Sequence, residues 1–128
     1  MRGSLPPNRR RSAGSEAEEL AARWLEERGY RILERNFQVR QGEIDLIVAN
    51  DEVIAFVEVR SRSDSSLATP EATIGPGKVR RIVLAARHWL AKRGNAGLDI
   101  RFDVIAIDGA IGGPREIRHL PAAFNAGM

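Results

Sequence analysis

One stretch, Gly42 to Arg60, constrains the fold of the chain more than any other segment. It reads GEIDLIVANDEVIAFVEVR, two apolar runs joined by a short polar turn, which is typical of two antiparallel strands. Asp45 and Glu58 stand at positions where a core strand would prefer Val or Ile. The stretch therefore predicts a largely buried sheet with carboxylates set into it.

The register of these two strands decides how closely Asp45 and Glu58 approach. If Asn50 and Asp51 form a two-residue turn, Asp45 lies opposite Phe56 and ~7–8 Å diagonally from Glu58, measured between α-carbons. If the register is shifted by two residues, the two carboxylates face each other directly. Both registers keep them on one face, because the side-chain period of a strand is two. We expect one of these two registers.

Apolar periodicity outlines the remaining elements. The chain is predicted to form an α/β fold, a mixed β-sheet of about four to five strands flanked by helices, in the order helix, strand, strand, strand, helix, strand. The predicted elements are a helix from Ser15 to Gly29, strands at Tyr30–Val39, 43–49 and 53–60, a polar loop at 61–76, a helix at Gly77–Arg93, a strand at Ile100–Ile107 and a short last segment at Glu116–Leu120.

Length and composition restrict the class of protein. The 128 residues fit one domain, predicted at 15–128, with its own core. The absence of cysteine excludes disulfides, zinc–thiolate sites, iron–sulfur clusters and a thiol nucleophile. No apolar run approaches the ~20 residues that span a bilayer, and no apolar segment follows the basic N-terminus. We therefore expect a cytoplasmic protein without a membrane partner.

Residues 1–14 are rich in Pro, Arg, Ser and Gly, and we predict that they form a disordered basic arm. Residues 1–12 carry four arginines and no acid, which leaves 16 basic and 17 acidic residues in a nearly neutral domain. The arm is either a solvated leader or a segment that tracks nucleic-acid phosphates through Arg9, Arg10 and Arg11.

The acidic residues of the opening stretch suggest a metal site. Glu43, Asp45 and Glu58 on one patch of sheet would repel one another unless a cation intervenes. Mg²⁺ or Mn²⁺ suits two carboxylates and several waters, and it would activate a water and stabilise charge on a phosphate. Arg60 would lie beside that phosphate. The alternative is an exposed sheet face on which the acids pair with nearby arginines.

The second predicted helix is basic and contains no acid. It is either a solvated face or a surface that contacts nucleic acid, with Lys78 and Arg81 as its candidate phosphate contacts. His88 and His119 lack the spacing of a metal-binding pair, and we interpret them as structural or surface residues. Glu18 lies three residues after Ser15 and fits a capping box at the start of the first helix.

Several motifs together resemble a known family. They are GEIDLI at 42–47, FVEVR at 56–60, Lys78, RFDVI at 101–105 and Ala123-Phe124. They look like the YraN-like family of small bacterial proteins, which is placed in the restriction-endonuclease-like superfamily near the archaeal Holliday-junction resolvases. The resemblance covers roughly residues 14 to 124.

The resemblance implies roles for individual residues. Asp45 and Glu58 would be metal ligands, the Val59 backbone carbonyl would complete the shell, and Arg60 would occupy the place of the superfamily's lysine. Glu18 would be the helix carboxylate, so it stays open between a capping role and a ligand role. Arg60 cannot act as a general base, because a guanidinium keeps its proton.

The favoured hypothesis is a Mg²⁺- or Mn²⁺-dependent endonuclease-like protein that acts on DNA phosphodiesters, with branched or processed intermediates as candidate substrates. A homodimer is expected because related resolvases cut two strands. One alternative is a module that kept the fold, lost the chemistry and binds nucleic acid or a partner. Another is a small structural domain whose acids pair with arginines.

Overall fold

A computed structural model describes residues 13–62, 74–110 and 112–125, with side chains from Glu16 onward. Two helices and five strands follow one another along the chain: α1 (Ala13–Glu27), β1 (Arg31–Val39), β2 (Gly42–Ala49), β3 (Val53–Arg62), α2 (Pro76–Arg93), β4 (Asp99–Asp108) and β5 (Glu116–Leu120). The predicted mixed α/β architecture and order of elements are confirmed, and Glu116–Leu120 adds a fifth strand.

The strands form one sheet in the order β1-β2-β3-β4-β5. Neighbouring strands are antiparallel except β3 and β4, which are parallel along the whole of β3. A parallel pair needs a crossover connection, and here the connection contains α2. Because β3 has a partner on both edges, it is the central strand of the sheet.

The turn between β2 and β3 settles the register. The Asn50 amide donates to the Val53 carbonyl over 3.0 Å, so the turn residues are Asp51 and Glu52 rather than Asn50 and Asp51. The Asn50 side-chain oxygen accepts hydrogen bonds from the amides of Glu52 and Val53 at 2.8 and 2.9 Å. Asn side chains commonly stabilise turns in this way. Leu46 accordingly pairs with Val57, which is the register that directs Asp45 toward Glu58.

The two helices cover opposite faces of the sheet, each with its own apolar cluster. On the α1 side, Leu25 packs with Leu46, Val57 and Ile105. On the α2 side, Ile82 and Trp89 pack with Phe56, and the rings of Trp89 and Phe56 meet edge to face with centroids 5.9 Å apart. The sheet is therefore buried on both faces between two layers of helix.

Some boundaries differ from the predicted ones. Helix α1 begins at Ala13, which places Ser15 inside the first turn, so the capping box of Ser15 and Glu18 is wrong. Strand β3 continues to Arg62, so the predicted loop at 61–76 begins too early. Residues 1–12, which include most of the predicted basic arm, and 63–73 of that loop lie outside the described residues.

Gly42 allows β2 to touch the backbone of α2. A β-carbon at this position would lie 2.0 Å from the Arg81 carbonyl oxygen, far inside van der Waals contact. The obstacle is backbone, which cannot rotate away as a side chain would. Glycine at the start of β2 therefore sets how closely the helix approaches the sheet.

We predict that Gly42→Ala lowers the unfolding free energy by about 1–3 kcal/mol, the usual cost of overpacking. Gly77→Ala is the matched control, because its β-carbon would meet only the Arg81 side chain at 3.9 Å. Within a helix that change should be neutral or slightly stabilising. Urea denaturation of both variants measures the difference, and equal stabilities would contradict the proposed close contact.

A buried ion network joins β4 to β5. Asp103 is 1% exposed and accepts hydrogen bonds from Arg101 at 2.8 and 2.7 Å. His119 lies 2.8 Å from its Oδ2, and the Ala122 amide donates to Oδ1 at 3.0 Å. Burial by itself would raise the pKa of Asp103, but the hydrogen bonds from His119, Arg101 and Ala122 outweigh it and lower the pKa. His119 is thus a structural residue, and His88 is exposed.

We predict that Asp103→Asn costs on the order of 2 kcal/mol of stability at neutral pH, because it removes the buried anion that accepts charge-assisted hydrogen bonds from Arg101, whose side chain is 26% exposed. A carboxylate with a lowered pKa stabilises the fold above its unfolded pKa, and this contribution disappears as the pH falls through the folded value. The cost of the substitution should therefore shrink in acid. Urea titrations at about pH 7 and about pH 3 test this, and an equal cost at both would assign the effect to packing.

Candidate functional site

Asp45 and Glu58 meet where the pairing of β2 and β3 ends. The last paired positions are Leu46 and Val57, and each acid follows on its own strand. Beyond these positions the Asp45 side chain replaces the backbone as hydrogen-bond partner of β3. Its Oδ2 accepts a hydrogen bond from the Val59 amide at 2.9 Å. The carboxyl groups of Asp45 and Glu58 also hydrogen-bond to each other. The structure thus brings the two predicted site carboxylates into contact.

Strand β2 changes its orientation at Asp45. Ile44 belongs to the apolar cluster under α2, whereas Leu46 belongs to the cluster under α1. In a regular strand, residues two positions apart lie on the same face. Because of this change, Asp45 interacts with Glu18 of α1 and also with Lys78 of α2. Side chains from both helical layers therefore reach the site.

Two cations approach the same oxygen of Glu58. Arg60 Nη1 lies 3.6 Å and Lys78 Nζ 3.7 Å from Glu58 Oε2. Lys78 is also 3.9 Å from Glu43 Oε2, and Glu43 accepts a hydrogen bond from Gln38 at 3.2 Å. Because Glu58 is only 4% exposed, an unpaired charge there would be strongly unfavourable. Lys78 and Arg60 supply the compensation.

Burial, together with neighbouring carboxyl groups, raises the pKa of three acids at the site. Burial, followed by the charge of Asp45, raises the pKa of Glu58 to about 7, against the opposing effect of Lys78 and Arg60. Burial also raises the pKa of Asp45, although the Val59 amide and Lys78 oppose it. For Glu18, burial and then Asp45 raise the pKa to about 7. A bound cation would oppose these shifts, because positive charge beside a carboxylate lowers its pKa.

Asn36 was not predicted to belong to this site. It adopts a left-handed backbone conformation within β1, with φ of 49°, which Asn tolerates better than most residues. Its side chain hydrogen-bonds to Glu18 and lowers the pKa of that carboxyl. Asn is depleted in strands, so its presence in the middle of an otherwise good strand was the available signal.

The donor set fits a hard divalent cation. Among the described residues, no group of three or more acidic or imidazole side chains converges as an assembled metal site. Asp45 and Glu58 remain as an adjacent pair of oxygen donors. Mg²⁺ commonly uses one or two carboxylates and keeps several waters, and Asp45 and Glu58 are oxygen donors of this kind.

The other predicted site residues fall into three groups. Lys78 reaches the carboxylates themselves, which the sequence did not predict. Arg81 lines a small cavity beside Glu43. Residues 9–11, the three arginines of the predicted arm, lie outside the described part of the chain.

Comparison with known proteins identifies the family of this chain. Residues 17–107 match the family model of uncharacterised protein family UPF0102. The chain belongs to this family. A UPF0102 protein of Anaeromyxobacter dehalogenans is 50% identical over 116 residues, covering 91% of this chain and 86% of that protein.

Two further relatives cover a similar share of the chain. A UPF0102 protein of Dechloromonas aromatica is 53% identical over 113 residues, 88% of each chain. One of Myxococcus xanthus is 40% identical over 122 residues, 95% of this chain and 96% of that protein. Membership of UPF0102 is the YraN-like resemblance predicted from the motifs, and it is confirmed.

The helices were also compared with the requirements of a bilayer. Among the described residues, neither helix combines the length and the apolar character needed to cross a membrane.

We predict that Glu58→Gln flattens the pH dependence of stability. The pKa of Glu58 is raised from 4.5 to about 7 in the folded protein. Between these two pH values the folded protein therefore keeps a proton on Glu58 that the unfolded chain has lost. Stability conferred by the protonated group is therefore present below 4.5 and lost as the pH rises through about 7. The contribution is on the order of 3 kcal/mol.

Urea titrations in metal-free buffer at about pH 5 and about pH 8 measure this change. Glu26→Gln is the control, because Glu26 is exposed on α1. If Glu58→Gln retains the pH dependence of the wild-type protein, Glu58 is not the group whose raised pKa produces that dependence.

Proposed function

We propose that this UPF0102 protein is a metal-dependent, endonuclease-like hydrolase that acts on DNA phosphodiesters, including branched or processed intermediates. One observation carries the proposal: Asp45 and Glu58 meet at the open end of the β2–β3 pair, with two cations on the same Glu58 oxygen. A buried carboxylate and a half-buried one beside two cations suit a reaction in which negative charge grows on a phosphate.

Asp45 and Glu58 would hold Mg²⁺ or Mn²⁺, with the Val59 carbonyl and Glu18 as possible additional ligands. When bound, the cation would lower the pKa of a water and neutralise charge on the phosphate. The chain itself fixes the two carboxylates: the Val59 amide holds Asp45 at 2.9 Å, and the central strand holds Glu58 in place.

Lys78 and Arg60 would have different roles. Arg60 can orient a phosphate in a bidentate manner and stabilise its charge, but it cannot exchange a proton. Lys78 carries an amine that can both stabilise charge and transfer a proton. Its Nζ lies 3.7 Å from Glu58, so α2 provides a lysine at the site although the position two residues after Glu58 holds Arg60.

DNA contacts beyond the site would come from Arg81 and from the basic segment at residues 9–11. Contacts of this kind position the duplex but carry no sequence information, which suits recognition of DNA shape. A homodimer is part of the proposal, since cutting both strands of a branched substrate requires two sites.

We predict that the purified protein cleaves labelled junction, flap or single-stranded DNA in Mg²⁺ or Mn²⁺. Asp45→Asn and Glu58→Gln should each reduce the rate by at least ~10²-fold, the scale of losing one electrostatic partner of a transition state. Gel-resolved cleavage measures this. Glu26→Gln, an exposed acidic position on α1, should cleave as the wild type does. Cleavage that survives Glu58→Gln would refute the assignment.

A second candidate function is a binding module without chemistry. The observation that favours it is the Arg60–Glu58 ion pair, which partly balances the buried charge without a metal. Thermal melting with Mg²⁺, Mn²⁺ or Ca²⁺ separates the two candidates. An intact site gains about 2.7 kcal/mol at a cation concentration of ~100 times Kd, and Asp45→Asn should abolish the gain. Salt-sensitive DNA binding with no metal effect would favour the module.

A further inference from the structure

A small cavity adjoins the carboxylates on the side of α2. It has a volume of about 290 Å³ and lies between the β1–β2 turn and the first turns of α2. The turn contributes Arg40 and Gln41, and the helix contributes Lys78 and Arg81. Ligand pockets in proteins typically measure ~300–1,000 Å³, so this one suits a small group rather than a whole nucleoside.

The lining carries an excess of positive charge. Arg40 from the β1–β2 turn and Lys78 and Arg81 from α2 all line the cavity, with Glu43 as the acidic member of the lining. Lys78 pairs with Glu43 and Glu58. Arg40 and Arg81 are exposed, and neither forms an ion pair with any residue in the described ranges. Their guanidinium groups are therefore available to an anion.

The cavity is held in shape by the backbone rather than by long side chains. Val39 and Gly42 pair across the β1–β2 turn, and Gly42 packs directly against the Arg81 backbone. This contact fixes the distance between the turn and the helix. Arg40 and Arg81 are thereby presented from two elements whose relative position is set before any ligand arrives, which reduces the entropic cost of binding.

Lys78 connects the cavity with the acid pair. It lines the cavity, and its Nζ is 3.7 Å from Glu58. If a nucleic-acid strand placed one phosphate at Asp45 and Glu58, a neighbouring nucleotide of that strand would therefore lie beside the cavity. Arginine matches phosphate geometry well, because its planar fork can donate two parallel hydrogen bonds, and the Gln41 amide supplies a further donor.

We infer that this cavity binds a backbone phosphate of the same DNA strand, adjacent to the phosphodiester held at Asp45 and Glu58. The inference rests on the proposed function for the identity of the ligand, but binding is measurable without cleavage. Arg40 and Gln41 thereby join the residues that contact the DNA. The partner of Arg81 on the DNA is this same backbone phosphate.

The experiment is fluorescence anisotropy of a labelled DNA duplex with the full-length protein in EDTA, over a range of salt concentrations. Arg40→Gln and Arg81→Gln should each weaken binding several-fold and reduce the slope of log K against log salt by about 1, because each loses one phosphate contact. Arg87→Gln is the matched control. Arg87 is exposed on the same helix but lines a different cavity, beside Leu84 and Phe124. The DNA affinity of Arg87→Gln should therefore equal that of the wild-type protein.

Each outcome is decisive for the inference. If all three variants lose affinity equally, or if the wild-type protein does not bind DNA, the cavity is not a phosphate subsite. If the wild type cleaves DNA while Arg40→Gln and Arg81→Gln bind as Arg87→Gln does, the inference fails and the proposed function stands. If the two variants show the expected slopes but no condition gives cleavage, the proposed function fails and the subsite stands.

Discussion

The pairing of β3 with β2 on one side and β4 on the other is the constraint on which the rest of the structure depends. It places Glu58 in the middle of the sheet, 4% exposed, where an ionised carboxyl is tolerated only with hydrogen bonds and opposite charge nearby. Arg60 on the same strand and Lys78 on α2 meet this requirement. Helix α2 is therefore positioned by electrostatics as well as by the apolar contacts of Trp89 and Ile82.

Local patterns were sufficient to predict the elements. Alternation in 43–49 and 53–60 predicted β2 and β3, and the helical spacing up to Gly94 predicted where α2 ends, because these features depend on residues close in sequence. The same alternation showed that Asp45 and Glu58 share a face, since both registers considered agree on it. The choice between the two registers depends on the hydrogen bonds of the Asn50 side chain. The amino-acid composition of the turn does not reveal these hydrogen bonds.

The missed features all depend on contacts between elements distant in sequence. Lys78 was predicted to contact DNA because it lies on a basic helix, and only the packing of α2 on the sheet shows that it also reaches Glu58. Gly42 opens the stretch that predicted β2, but the sequence does not indicate that its decisive neighbour is the Arg81 backbone. Asn36 joins Glu18 through a left-handed conformation, which a strand pattern does not indicate. Such contacts arise from tertiary packing, which overrides local preference.

The order of strands in the sheet has a consequence for how the site assembles during folding. Each strand pairs with its neighbour in sequence, and a hairpin such as β2–β3 closes over a short loop, which is fast. The pairing of β3 with β4 instead awaits the crossover that carries α2. We therefore expect Asp45 and Glu58 to come together early, while still hydrated, and to lose water only when Lys78 docks with its helix. The part of the charge compensation that comes from Lys78 then arrives in the same step as this loss of water, while Arg60 is already present on β3.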